Sequence, residues 1–160
     1  MRLVNIVAVL ALLLCPNALV AQTARFGVSD VTAIDQLFDR YNRAFSSKDY
    51  VKLSDYLEAP FLTFPKGVEV LPTMDDVMKF YKGVRDPLDE QQYVRSQLMR
   101  RRITALSSDR ALVNGVYRRY RKDGSVLLEA SAIYVVSKSA GAWKICGVLG
   151  QTLDDFGKVY

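Results

Sequence analysis

The 160-residue chain contains no histidine, which limits what its remaining reactive side chains can do. Ser-His-Asp and Cys-His nucleophile systems and His-based zinc sites are excluded, so acid–base work falls to Asp, Glu, Tyr or Lys. Three groups stand out. Tyr41 lies on an apolar stripe, so its phenol should point inward, where it could donate a hydrogen bond to a ligand oxygen. The ordinary alternative is a buried tyrosine satisfied by a protein neighbour. Glu129 interrupts the otherwise uncharged run "VLLEASAIYVV". Buried there, its carboxyl would have a raised pKa and could serve as acid or base, or pair with an arginine. Cys146 sits beside Lys144 in "AWKICGVL". With no histidine to activate it the thiol reads as a small hydrophobe, although Lys144 could lower its pKa.

Arginines form two further groups, Arg100–Arg102 and Arg118, Arg119 and Arg121. Neighbours on a strand point to opposite faces, so at least one arginine of each group must face the other way. One reading is a solvated sheet face with arginines paired to acids such as Glu129. The other is an arginine inside a pocket, gripping a ligand carboxylate bidentately. Generic charge runs favour the first.

The elements that must position these groups follow from periodicity. Val31, Ile34, Leu37, Phe38, Tyr41 and Phe45 recur at helical spacing, which predicts a helix over residues 31–46 capped by Ser29 or Asp30. "SSKD" breaks it, and Asp49 caps a short second helix that Pro60 ends. "FLTF" and "VEVL" read as short strands around a "PKG" turn. Thr73 and Asp76 resemble a capping box for a third helix. Four long strands follow, with hairpin turns at Asp123-Gly124 and in "SKSAG". Alternation puts Glu129 with Leu127, Ser131, Ile133 and Val135. The opposite face, with Ala130, Ala132, Tyr134 and Val136, is more apolar, so the Glu129 face is the better candidate for solvent or a dimer contact. In the last strand, alternation groups Trp143, Ile145, Gly147 and Leu149 against Lys144, Cys146 and Val148, with Trp143 and Ile145 facing the helices.

Residues 1–21 read as a secretory signal peptide: Arg2, an apolar run from Ile6 to Leu14, and small residues up to Ala21. The run is too short to span a bilayer. A lipoprotein signal with Cys15 acylated fits less well, because Leu14 is large. Cleavage after Ala21 leaves 21 basic and 17 acidic residues, a mild excess that does not suggest nucleic acid. It also leaves one cysteine, so no internal disulfide. The expected product is an exported, periplasmic or secreted domain over residues 22–160, with no stable membrane anchor.

This order of elements, with "SSKDYVKL" at the helix break and "DG" followed by a closing "AGAWKI", resembles the nuclear transport factor 2-like superfamily. That superfamily includes ketosteroid isomerase-like and polyketide cyclase-like domains. The resemblance spans residues 31–151. It implies an α+β, cystatin-like roll: a cone of curved antiparallel sheet wrapped around three helices in the N-terminal half, with an apolar pocket inside. It also implies a homodimer formed through the open sheet face. In the isomerases a catalytic Tyr precedes the helix-break Asp by eight residues; Tyr41 stands eight before Asp49. The base position falls near Phe64-Pro65 and the second acid near Ile133, and neither is a carboxylate. Scytalone dehydratase-like chemistry relies on His, and the two Asp of an Asp-Arg-Asp epoxide hydrolase find no match.

Two functions remain open. The first is an exported, non-catalytic domain that binds a small apolar or amphipathic molecule, or a partner protein. Phe38, Tyr41, Phe45, Phe64, Phe80, Tyr81 and Trp143 would line its cavity. The alternative is a proton-transfer isomerase, cyclase or dehydratase that uses Glu129 with Tyr41. Neither reading calls for a metal or cofactor.

Overall fold

The computed structural model describes residues 25–64 and 67–156. The expected signal peptide, Cys15 and Pro65 lie outside the described residues. Three helices, α1 (Val28–Ser47), α2 (Tyr50–Asp55) and α3 (Met74–Arg85), pack on a six-stranded sheet. Its strands are β1 (Leu57–Thr63), β2 (Glu69–Leu71), β3 (Tyr93–Ala105), β4 (Arg110–Arg121), β5 (Val126–Ser139) and β6 (Ala142–Gln151), in the order β2-β1-β6-β5-β4-β3. Every pairing is antiparallel except β1 with β6, which is parallel. The sheet is therefore mixed rather than wholly antiparallel, because the chain crosses from β1 through α3 and three long strands before β6 joins it.

Helix α1 starts one turn earlier than the apolar period predicts. Gly27 is its N-cap, and Asp30 lies inside the helix, accepting the Gly27 N–H at 3.0 Å. The same carboxylate accepts the Trp143 indole N–H at 3.2 Å and the Lys138 ammonium at 2.8 Å. One buried acid thus ties the start of α1 to β5 and β6. The Lys138 and Gly27 hydrogen bonds hold its pKa below the ordinary 3.8. Its stabilising contribution is complete above pH 3.8 and is lost as pH falls through the lowered folded value. Asp30→Asn is therefore expected to melt about 2 kcal/mol less stable than the parent at pH 7. Denaturant titrations should show the two proteins converging well below pH 3.8.

The remaining caps match their sequence signals. Asp49 accepts the Lys52 N–H at 3.1 Å, and Thr73 and Asp76 bond reciprocally at the start of α3. Pro60 does not end α2, which stops at Asp55; it sits inside β1, where the pairing with β6 is interrupted between Leu57 and Leu62. Ala140 (φ 48°) and Gly141 (φ 81°) make the two-residue turn from β5 to β6.

The core lies between the helices and the concave sheet face. Ile34, Leu37 and Phe38 of α1, Val77 of α3, and Val113, Val136 and Ile145 of the sheet are almost wholly buried. The inner face carries Ala111 and Val113 of β4 opposite Val136 and Tyr134 of β5. Alternation then fails at one point in β6. Val136 pairs with Ile145 and Val135 with Gly147, so Cys146 is an extra residue in a β-bulge. Beyond it the faces exchange. Val148 and Gly150 turn inward opposite Tyr134 and Ala132, while Gly147 and Leu149 turn outward. Trp143 and Ile145 do face the helices, but Gly147 and Leu149 do not share their side.

The outer face is partly covered by the chain itself. Gln151 donates to the carbonyl of Asp155 in the last turn (Leu153–Asp155), and Arg100 lies over the Phe156 ring at 5.0 Å. Val116 and Ser131, both on this face, are buried. No helix among the described residues is long and apolar enough to cross a membrane.

Candidate functional site: an aromatic cavity with one arginine

Between α1, α3 and the inner face of the sheet lies a cavity of about 300 Å³. Helix α1 supplies Tyr41, Asn42 and Phe45, and α3 supplies Phe80, Tyr81 and Val84. The sheet supplies the opposite wall: Thr63 and Phe64 at the end of β1, Ser96 of β3, Tyr117 and Arg119 of β4, Ala132 and Tyr134 of β5, and Val148 and Gly150 of β6. Small residues create the space. Ala132 and Gly150 are direct cross-strand partners on the inner face, and a Cβ on Gly150 would meet no atom within 4 Å.

The walls are stiff. Tyr41 meets Tyr81 and Tyr134 edge-on at 6.0 and 6.3 Å and stacks on Phe45 at 6.2 Å. Each such pair contributes roughly 0.5–1.5 kcal/mol beyond its buried area. The Tyr41 hydroxyl donates to Tyr81 at 3.5 Å, a long bond that leaves the Tyr81 proton for another acceptor. Burial pushes the Tyr41, Tyr81 and Tyr134 phenols above their ordinary value of 10, so all three stay protonated donors at neutral pH. Near Asn42 and Ser96 the cavity adjoins a groove between α1 and β3 that those two residues also line.

No Asp, Glu, Lys or Cys lines the cavity among the described residues. Glu129 is on the opposite side of the sheet, three residues from the inward Ala132, where Arg118 donates to it at 2.6 Å from Nε. Tyr41 and Glu129 are therefore separated by the sheet and cannot share a substrate. Of the aromatic residues expected to line the pocket, Tyr41, Phe45, Phe64, Phe80 and Tyr81 do so. Phe38 does not: it is packed behind the wall against Tyr134 at 4.9 Å. Trp143 does not either: it is bonded to Asp30 near the start of α1 and edge-on to Phe26. Cys146 is half-buried in the bulge, its thiol donating to the Val135 carbonyl at 3.5 Å. Burial pushes the thiol pKa up rather than Lys144 pulling it down, so nothing activates it.

Arg119 is the residue that charge-run reasoning passes over. Strand alternation turns Arg118 and Arg119 to opposite faces, and the sequence does not say which is inside. The register does: Arg119 pairs across β3 with Ser96, which also lines the cavity. Val148 is hidden from sequence reading by the bulge, and Tyr134 shows only as part of an apolar face. No group of three or more His, Cys, Asp or Glu among the described residues could hold a metal ion.

A cone of mixed sheet closed by three helices, with a polar-rimmed aromatic cavity, defines this protein as a nuclear transport factor 2-like domain. The chain belongs to the family described as NTF2-like protein (DUF6841), whose model matches residues 29–152. No curated protein matches it. Among solved structures it is similar to a protein of unknown function with a cystatin-like fold from Nostoc punctiforme PCC 73102. The identity is 12%, the TM-score 0.65, and the match covers 82% of this chain and 97% of that one. An NTF2-like protein with a cystatin-like fold from Novosphingobium aromaticivorans gives 15% identity and a TM-score of 0.63, over 82% and 85% of the two chains. Aln2 from a Streptomyces species gives 10% and 0.65, over 80% and 93%. At these identities the likeness shows the fold.

Proposed function

We propose that this domain binds a small ring-bearing molecule in the aromatic cavity and does not carry out carboxylate-based proton transfer on it. The observation behind this reading is the composition of the walls. Phe45, Phe80, Val84 and Val148 offer apolar surface, and the tyrosine hydroxyls offer donors that stay protonated. A cavity of about 300 Å³ is at the lower end of small-molecule sites, which suits a mono- or bicyclic ligand. General-base catalysis needs an acceptor within hydrogen-bond reach of the substrate, and the one carboxylate considered for that role, Glu129, is across the sheet.

A thermal-shift screen of one- and two-ring aromatic and alicyclic compounds tests the reading. A ligand at 100 times its dissociation constant should stabilise the fold by about 2.7 kcal/mol, an easily measured rise in melting temperature. Silence across a broad panel would count against a ligand cavity.

A further inference from the structure

We infer that the cavity's ligand is an anion, an aromatic or alicyclic carboxylate or an equivalent planar oxyanion, held by the guanidinium of Arg119. The inference rests on the cavity-binding reading above and adds the charge of the ligand to it.

Arg119 lies in the cavity wall with its Nε buried and without a hydrogen-bond partner. Its guanidinium carbon stands 5.6 Å from the centre of the Phe45 ring and 5.5 Å from that of Tyr117. Those faces steady a cation but accept no hydrogen bond in the guanidinium plane. The neighbouring arginines are satisfied differently. Arg118, on the outer face, pairs with Glu129; Arg101 pairs with Asp35 on α1; Arg85 bonds two main-chain carbonyls and Asp89. Ser96, the cross-strand neighbour of Arg119, has its hydroxyl engaged with Tyr93 at 2.7 Å. Among the described residues no carboxylate reaches into the cavity to neutralise Arg119.

Arg119 is half-buried, and its buried Nε–H is costly until an acceptor completes it. A carboxylate does so with two parallel N–H···O bonds, and its ring then lies among the aromatic walls. The Tyr81 hydroxyl serves the same polarity, because it accepts from Tyr41 and keeps its own hydrogen to offer to an electron-rich ligand atom.

Calorimetric titration with 2-naphthoate and its neutral isostere 2-naphthamide tests this. The parent protein should bind the carboxylate at least about tenfold more tightly than the amide. Arg119→Gln should erase the preference by weakening the carboxylate far more than the amide, and Arg119→Lys, which keeps the charge but not the fork, should fall between. Equal binding of the two compounds by the parent overturns the anion assignment alone and leaves the cavity reading standing. Equal loss of both in Arg119→Gln, with the fold intact by circular dichroism, also overturns it. Binding of neither compound by the parent, together with silence in the wider screen, overturns the cavity reading and this inference with it.

Discussion

Replacing Arg85 by alanine is expected to cost about 3 kcal/mol of folding stability, roughly 10 °C in melting temperature for a domain of this size. Arg85 ends α3 and is buried. Its Nε donates to the Phe45 carbonyl and its Nη2 to the Ser46 carbonyl, both at 3.1 Å. These carbonyls lie in the last turn of α1, where the helix itself gives the Phe45 carbonyl only a long bond, 3.4 Å, from the Lys48 N–H. The third arm reaches Asp89, and the guanidinium lies 4.5 Å over the Tyr93 ring. Truncation leaves those carbonyls without their charged donor and opens a gap beside Tyr93. Arg85→Lys retains a charge but only one donor direction at a time, so it should recover no more than about half the loss. Asp89→Ala should cost less, because Asp89 is half exposed and the buried Arg85 guanidinium keeps its two bonds to the α1 carbonyls when it is removed. Urea unfolding of the three variants gives the ranking. A small effect of Arg85→Ala would mean the α1–α3 junction is held elsewhere.

Gly150→Leu is expected to weaken ligand binding at least about 100-fold while leaving the melting temperature close to that of the parent. Gly150 lines the cavity opposite Ala132, and a side chain there would extend into empty space. Its backbone needs no left-handed conformation, and leucine suits a strand better than glycine does. The added side chain takes the place of the ligand's ring. Gly147→Leu is the contrasting control. Gly147 faces outward, where a Cβ would stand 3.1 Å from the Leu62 Cβ and 3.2 Å from the Leu62 carbonyl oxygen. That variant should lose stability and, where folded, still bind. The bulge at Cys146 decides which of these two glycines faces the cavity.

That bulge also shows where the sequence stopped being readable. The helical stripe of α1, the Thr73 and Asp49 caps and both hairpin turns are local features, and local chemistry announces them. Tyr41, Phe45, Phe80 and Tyr81 followed from helix periodicity for the same reason. Glu129 could be assigned to the outer face because the opposite face was more apolar. Which of Arg118 and Arg119 points inward depends on pairing with β3 and β5, which no local pattern states. Phe38 and Trp143 have the right type and phase for a cavity wall. They miss it because packing against Tyr134 and the Asp30 bond place them deeper in the cone. Asp30 looked like a cap, and its larger role appears only when β5 and β6 bring Lys138 and Trp143 to it.

The nine tyrosines offer the most direct test of the central claim, because four of them line the cavity: Tyr41, Tyr81, Tyr117 and Tyr134. Ring-labelled tyrosine resonances can be followed by NMR while 2-naphthoate is added. The account predicts that these four signals move in a saturable manner and that Tyr50, Tyr56 and Tyr120 stay in place. Saturable movement of Tyr120, on the outer face, with the cavity signals unchanged would contradict it.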